Sequence, residues 1–370
     1  MVLKPVSVIE VSLGNIRVGR IALDPGRRAL FEYDPVWIRE GFSISPFWLP
    51  LQSGVFTARA EPFNGLFGVF SDSLPDGWGT LLTDRWLISQ GVRPADLTVL
   101  DRLSLVGERG MGALCYAPFP PFSSFSPSGT EEPPFSLGFY SAEVERILRD
   151  DYTGSLEELL RRAGSSGGAR PKVLLNLEDG EWLVKFRSSA DPPDVGPLEY
   201  HFSLLAKKCG IDMPETRLFE GKYFGVRRFD RDHGQRFHLH SASGLLHASY
   251  RLPSLDYVSL MKATFLLTRD IREAGKMFRL MVFNVLIGNK DDHAKNFSFI
   301  YRDAHWQLSP AYDLLPSEGF NGNHTTTVNE KGRPALRDCL EVARLSAFPL
   351  NTARKIIDEV QAVVQNDRCS

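Results

Sequence analysis

The chain is short of several things, and each shortage removes a class of function. It has only four cysteines, Cys115, Cys209, Cys339 and Cys369, scattered with no Cys-x-x-Cys pair and no histidine at ligand spacing. That excludes a disulfide scaffold and a structural zinc, and predicts a reducing compartment. No apolar run approaches the roughly 18 residues a membrane helix needs. The N-terminal MVLKPVSVIEVSLGN lacks the charged and apolar regions of a signal peptide, so a cytoplasmic protein without membrane contact is expected. There is no excess of either charge sign: 43 Lys and Arg face 45 Asp and Glu, a net charge of -2. A chain that binds DNA by itself is usually basic. No internal repeat is present, and no stretch has the GxxxxGK[ST] order of a P-loop. What remains is 370 residues of ordinary globular composition, 43% hydrophobic and 24% charged, enough for two domains.

From about Ser7 to Arg59 apolar and polar residues alternate between turn signals. SVIEVSL, then Gly14-Asn15, then IRVGRIAL predicts a hairpin, and ALFEYDPVWI predicts a further strand. Phe67–Ser89 reads as helical, with apolar residues at helical spacing after the LPDG punctuation. The segment Ala117–Phe135 is Pro- and Ser-rich and is expected to be a loop; its proline spacing is too common by chance to mark an SH3 ligand. After two helical segments comes KVLLNLEDGEWLVKF, a strand pair around Asp179-Gly180. A helix ending at Gly210 follows, then strands in TRLFEG and YFGVRRFDR. From Leu255 onward the pattern is mostly helical. MFRLMVFNVLIG is apolar nearly all round and predicts a buried helix. Asn351 or Thr352 is expected to cap a last amphipathic helix with Ile356, Ile357, Val360 and Val364 inward.

The chemistry concentrates in FNVLIGNKDDHAKNF, Phe283–Phe297, where an apolar helix stops at Gly288 and a polar cluster follows. Asp291 is the candidate base for a hydroxyl, with Asp292 an open competitor; either could cap a loop. Asn296 offers an amide oxygen suited to Mg²⁺, and Asp313 in SPAYDL a carboxylate after a strand-like segment. Both residue types are equally common in plain turns. His293 and Lys295 lie between, where they could orient the loop and neutralise phosphate. Upstream, Gly164–Lys172 is a Gly/Ser-rich segment leading into a strand, most often a linker when met alone. Lys185 lies late in the strand WLVKF, with Glu199 opening the next helix, and FDRD from Phe229 closes the last strand at a would-be hinge. Each signal is modest. Their order is that of a phosphotransferase: Gly-rich loop, strand Lys, helix Glu, hinge, Asp then Asn, strand-end Asp.

With these residues in hand, the chain resembles the HipA family of serine/threonine kinases, toxins of bacterial toxin–antitoxin modules. The motifs are GSSGGARPK, WLVKF, VRRFDR, LIGNKDDHAKNFSF and SPAYDL, with FEYDPVWI, LPDGWG and Gly107–Leu114 (GERGMGAL) matching an N-terminal subdomain. The resemblance spans nearly the whole chain. It implies an α+β, two-lobed protein-kinase-like fold, with a small β-rich N-terminal subdomain over 1–116 and a Pro/Ser-rich loop over 117–135. The nucleotide-binding part of the N-lobe would cover 136–232, and a helical C-terminal lobe 233–370. It implies Asp291 as catalytic base, and Asn296 and Asp313 on Mg²⁺. ATP would be held by Gly167, Gly168, Ala169, Arg170, Pro171, Lys172, Lys185, Arg227, Arg228, Phe229, His293, Ala294, Lys295 and Asn296. Ser165, with Ser166 adjacent, would take an inhibitory autophosphorylation, since a phosphate of about −2 charge beside ATP opposes the closed loop. A HipB-like helix-turn-helix antitoxin is the implied partner, with DNA reached only through it. An aminoacyl-tRNA synthetase is the implied kind of substrate, and its phosphorylation would inhibit translation and growth. Arg170-Pro171-Lys172 and Arg227 depart from the well-known member's residues; Pro171 removes one N–H from the loop. The alternative is a pseudokinase that holds an antitoxin without catalysis. A small-molecule kinase fits less well, because such chains lack the Gly/Ser loop and the N-terminal unit. The histidines of Arg236–Tyr250 are expected in a loop and helix between lobes, not on a metal.

Overall fold

The computed structural model describes residues 5–119, 136–151, 156–163 and 167–368. Most of the Pro/Ser-rich segment, and Gly164, Ser165 and Ser166, lie outside the described residues. The chain forms two compact units. One comprises Met1–Gly196 with Phe219–Arg236, the other Pro197–Leu218 with Phe237–Ser370. The stretch read as one N-lobe part, 136–232, is thus shared between them, because the helix Val195–Lys208 runs almost wholly in the second unit.

Among the described residues the first unit shows two hydrophobic cores. A five-stranded antiparallel sheet, in the order 55–57, 29–33, 16–23, 8–13, 114–118, builds one of them. The expected hairpin is present, with Leu13 paired to Ile16 and Gly14 at φ +57°. ALFEYDPVWI is not a single strand. Ala29–Tyr33 is a strand, but Asp34 then caps a helix, Pro35–Glu40, by accepting the Val36 N–H at 2.8 Å. Asp-Pro supplies both an N-cap and a preset φ at the first helical turn, which ends the strand. Phe67–Ser89 is likewise split into Gly68–Ser71 and Gly77–Ser89 by the LPDG turn.

The second core lies under another sheet. Lys172–Leu177, Gly180–Lys185 and Tyr223–Arg227 pair antiparallel, the first two through a tight loop with Leu177 opposite Gly180. Trp182 and Val184 of this sheet are buried with Leu159 and Ala163 and with Trp78, Leu82, Trp86 and Leu87. The helix Gly77–Ser89 therefore lies within the range of the N-terminal subdomain in sequence but packs under the second sheet.

In the second unit the helices Tyr257–Thr268 and Ile271–Ile287 pack together, and the latter packs on Leu336–Leu345 and Leu350–Arg368. Ile271–Ile287 begins at Asp270, whose carboxylate accepts the Arg272 N–H, and stops at Gly288 in the left-handed region. Its buried Met277, Phe278, Met281, Val282 and Phe283 bear out the all-round apolar pattern. The last helix starts at Leu350, so Asn351 and Thr352 lie inside its first turn and not at its cap, while Ile356, Ile357, Val360 and Val364 face inward as expected. A three-stranded antiparallel sheet, with Ser298–Arg302 central between His238–Ser241 and His305–Leu308, replaces the loop expected around His238. No helix is long and apolar enough to cross a membrane among the described residues. Burial pushes the thiols of Cys209 and Cys339 up to about 11 and about 12.

Candidate active site

The polar cluster after Gly288 is a tightly tied loop. Its anchor is Asp292, fully buried. One carboxylate oxygen accepts the N–H groups of Thr325 and Thr326 at 3.0 and 3.2 Å. The other accepts the Tyr257 hydroxyl at 3.0 Å and lies 2.9 Å from His324 Nδ1. Asn284, the last buried polar residue of the preceding helix, donates to Tyr257 Oη at 3.0 Å and accepts from Asn289 at 3.1 Å. Burial, and next the charge of Asp292, holds the Tyr257 hydroxyl well above its usual pKa. A carboxylate taken wholly out of water is tolerable only with its acceptor sites filled in this way.

Asp291 is the opposite case. It is exposed. Its backbone is fixed: the N–H donates to Ser317 Oγ at 2.8 Å, and the carbonyl accepts the Asn296 amide at 2.7 Å. Two adjacent carboxylates that compete on sequence alone are separated by burial, one as an internal strut and one facing out. The Asn296 Nδ2 bond orients that side chain, so its Oδ1 is the end turned away from Asp291's carbonyl. Asp313 follows Tyr312 with φ +55°, and its carbonyl accepts the Asn289 amide at 3.2 Å. Tyr312 Oη donates to the Lys295 carbonyl at 2.7 Å. Ala294 is buried in the short 3-10 turn before Asn296. The Lys295 ammonium sits 4.2 Å from the centroid of the Tyr250 ring, and the His293 ring lies 6.3 Å from the same ring. Asp291, Asn296 and Asp313 are thus tied to one framework by Asn289 and Ser317. Neither of these two stands out in the sequence, where nothing marks a serine four residues past Asp313. No group of three or more His, Cys, Asp or Glu able to hold a metal occurs among the described residues. An amide oxygen with one carboxylate is the donor set of a Mg²⁺ that takes its other oxygens from phosphate and water.

The first unit carries the other expected residues. Lys172 and Lys185 are direct partners across the hairpin. Like charges at such positions repel unless an anion or acceptor lies between them. Lys172 is buried and donates to the Gly167 carbonyl. The Lys185 ammonium lies 5.5 Å from the Phe224 ring centroid. Gly168 sits at φ +95°, a conformation that favours glycine, and a Cβ there would meet the end of the Lys172 side chain at 2.7 Å. Arg170 turns away from the loop to Asp191, at 3.2 Å. Pro171 extends the sheet, its carbonyl accepting the Phe186 N–H at 2.8 Å. Glu199, the expected partner of Lys185, is buried on the helix Val195–Lys208 of the second unit.

In the expected hinge, the Arg228 N–H donates to the Glu181 carbonyl at 2.8 Å, so strand alternation turns the backbone groups of Arg227 and Phe229 to the opposite edge. The Arg228 side chain is buried in a two-pronged pair with Asp230, at 2.9 and 2.6 Å. Asp230 also accepts the Gly112 N–H at 2.8 Å, and Arg231 donates to the carbonyls of Gly112 and Gly110. Burial alone would raise the Asp230 carboxyl; the charge and hydrogen bonds of Arg228, with Arg231 and Gly112, hold it below its ordinary 3.8. GERGMGAL is thus the segment that receives FDR.

Residues 164–367 match the model of the HipA-like C-terminal domain, and residues 9–117 that of the HipA N-terminal domain. Y4dM of Sinorhizobium fredii, provisionally named a kinase, is 24% identical over 402 residues, covering 98% of this chain and 92% of its own. Y4mE of the same strain, named in the same way, is 30% identical over 323 residues, covering 76% of this chain and 73% of its own. The fold is that of the Shewanella oneidensis HipA toxin, solved in complex with HipB and operator DNA. The TM-score is 0.72 and the identity 19%, over 96% of this chain and 88% of that one.

Proposed function

The chain belongs to the HipA family, whose relatives above carry kinase names, and from this premise we propose that it is an ATP- and Mg²⁺-dependent protein serine/threonine kinase. The observation that carries the reading is the division of labour between Asp291 and Asp292. A catalytic base must reach a substrate hydroxyl, and Asp291 is exposed on a backbone held by Ser317 and Asn296. Asp292, buried with both its oxygens engaged, supports it. Asp291 accepts the proton of the attacking hydroxyl. Lys172 and Lys185 supply positive charge for the phosphates, and the glycines at 167 and 168 let the loop backbone come close to them. Asn296 and Asp313 would hold Mg²⁺, which supplies charge neutralisation at the phosphates. The backbone groups of Arg227 and Phe229 face the edge on which adenine would be read.

Ser165, or Ser166 beside it, is the expected autophosphorylation site. The protein partner is a HipB-like antitoxin, as in the Shewanella complex, and DNA is met only through it. The substrate is a cytoplasmic protein of the translation machinery, an aminoacyl-tRNA synthetase being the family precedent.

Incubation with Mg²⁺ and γ-labelled ATP, followed by phosphopeptide mapping, tests this. Label on Ser165 or Ser166 is expected, lost in Asp291→Asn while calorimetry still finds ATP binding. Absence of nucleotide binding by the unmodified protein, or full labelling of Asp291→Asn, would overturn it.

A further inference from the structure

Asp76 stands at the N-cap of the helix Gly77–Ser89, yet its side chain makes no capping hydrogen bond. Aspartate is among the strongest N-cap residues because its carboxylate satisfies an orphan N–H of the first turn. Here the carboxylate instead accepts the N–H of Gly168, 92 residues on in the glycine-rich loop. The next two residues engage the same loop. The Trp78 N–H donates to the Gly168 carbonyl at 3.2 Å. Gly77 lies against it at φ +38°, where a Cβ would stand 2.6 Å from Ala169 Cα and 2.7 Å from the Gly168 carbonyl oxygen. Gly168 is thus gripped at both its N–H and its C=O by a turn from the N-terminal part of the chain. The turn is itself anchored, since Trp78 and Trp86 are buried in the same core as Trp182 and Val184 of the sheet that the loop precedes.

We propose that Asp76, Gly77 and Trp78 form a positioning clamp that holds the glycine-rich loop in its phosphate-receiving shape before nucleotide arrives. The proposal deepens the kinase reading and rests on it. A glycine loop is the costliest kind of backbone to order. A clamp that orders it in advance removes that cost from ATP binding. Asp76 touches the loop and not the reacting atoms, so its role is positioning. The rival is that Asp76 occupies an N–H that phosphate needs, in which case it competes with ATP. The two differ in sign.

The discriminating variant is Asp76→Ser. Serine is an equally good N-cap, so the helix keeps its start, but its side chain is too short to reach Gly168. Hydrogen exchange at the amides of 167–170 in nucleotide-free protein, and ATP affinity by calorimetry, are compared for the unmodified protein, Asp76→Ser and Asp76→Asn. Asp76→Ser is expected to speed loop exchange and weaken ATP binding about tenfold, with the melting temperature unchanged. Asp76→Asn, whose amide oxygen still accepts, is expected to recover much of both. Unchanged exchange and affinity in Asp76→Ser, or tighter ATP binding, would overturn the clamp. If the unmodified protein binds no ATP, the kinase reading fails, and loop exchange alone still decides whether the clamp exists.

Discussion

The loop that follows Gly288 and the glycine-rich loop are held by the same kind of device in two different settings. In each, a carboxylate accepts from the backbone of a distant segment, two N–H groups at Asp292 and one at Asp76. Asp292 is fully buried, serves both its oxygens, and is backed by Tyr257, Asn284 and His324. Asp76 is a helix-start residue bonded to a part-buried glycine N–H. The first arrangement cannot loosen without leaving several buried donors unsatisfied. The second can exchange its partner for water at modest cost. On the proposed kinase reading the contrast has a use: a base must stay where it is, whereas a phosphate-covering loop must admit and release nucleotide.

Four substitutions, one of them read by acid titration, would break or sharpen that contrast. Asp292→Ala should have the largest effect. It strands the N–H groups of Thr325 and Thr326 and the Tyr257 hydroxyl, and should destabilise by about 3–5 kcal/mol. Denaturant melts would report it, and a loss below about 1 kcal/mol would remove Asp292 as the strut. Asp291→Asn, one residue away, should leave the melting curve in place and lower phosphoryl transfer by about 10²–10⁴-fold, the usual worth of a general base. A variant that melts early would mean the two carboxylates are assigned the wrong way round.

The Arg228–Asp230 pair gives the third expectation. The folded carboxyl of Asp230 is depressed below 3.8. Its contribution to stability is therefore complete above the unfolded value and is lost as the pH falls through the depressed one. Acid unfolding of Asp230→Asn, followed by circular dichroism, should be flatter than that of the unmodified chain below about pH 4. An identical acid limb would show the pair uncoupled from folding. The smallest effect belongs to Gly288→Ala. Gly288 has φ +72° with open space where a Cβ would stand, so only backbone strain is added, about 1–2 kcal/mol. Its loss of activity should follow from loss of fold and scale with it.

Legibility differs by region for physical reasons. The hairpin at Gly14, the strand pair around Asp179 and the helix ending at Gly288 are local, each specified by periodicity and a turn or cap residue. Asp34-Pro35 is equally local but is outvoted by the strand-like residues on either side. The strand His238–Ser241 escapes a reading of the sequence because its partner, Ser298–Arg302, lies about sixty residues on, and alternation over four residues is a weak signal. Ser317 and Asn289 escape it too, because a hydrogen bond across a loop leaves no periodicity.

By itself the sequence determined the order of the elements, the family, and a short set of residues able to do the chemistry, since side-chain type and local spacing are properties of the chain. The residues themselves left Asp291 and Asp292 as competitors, and only the family resemblance singled out Asp291. Burial separates them, and burial exists only once Thr325, Thr326, Tyr257 and His324 have been brought around one of the two. The same holds for Asp76, which in the sequence is only part of the LPDG punctuation until the fold sets Gly168 against it.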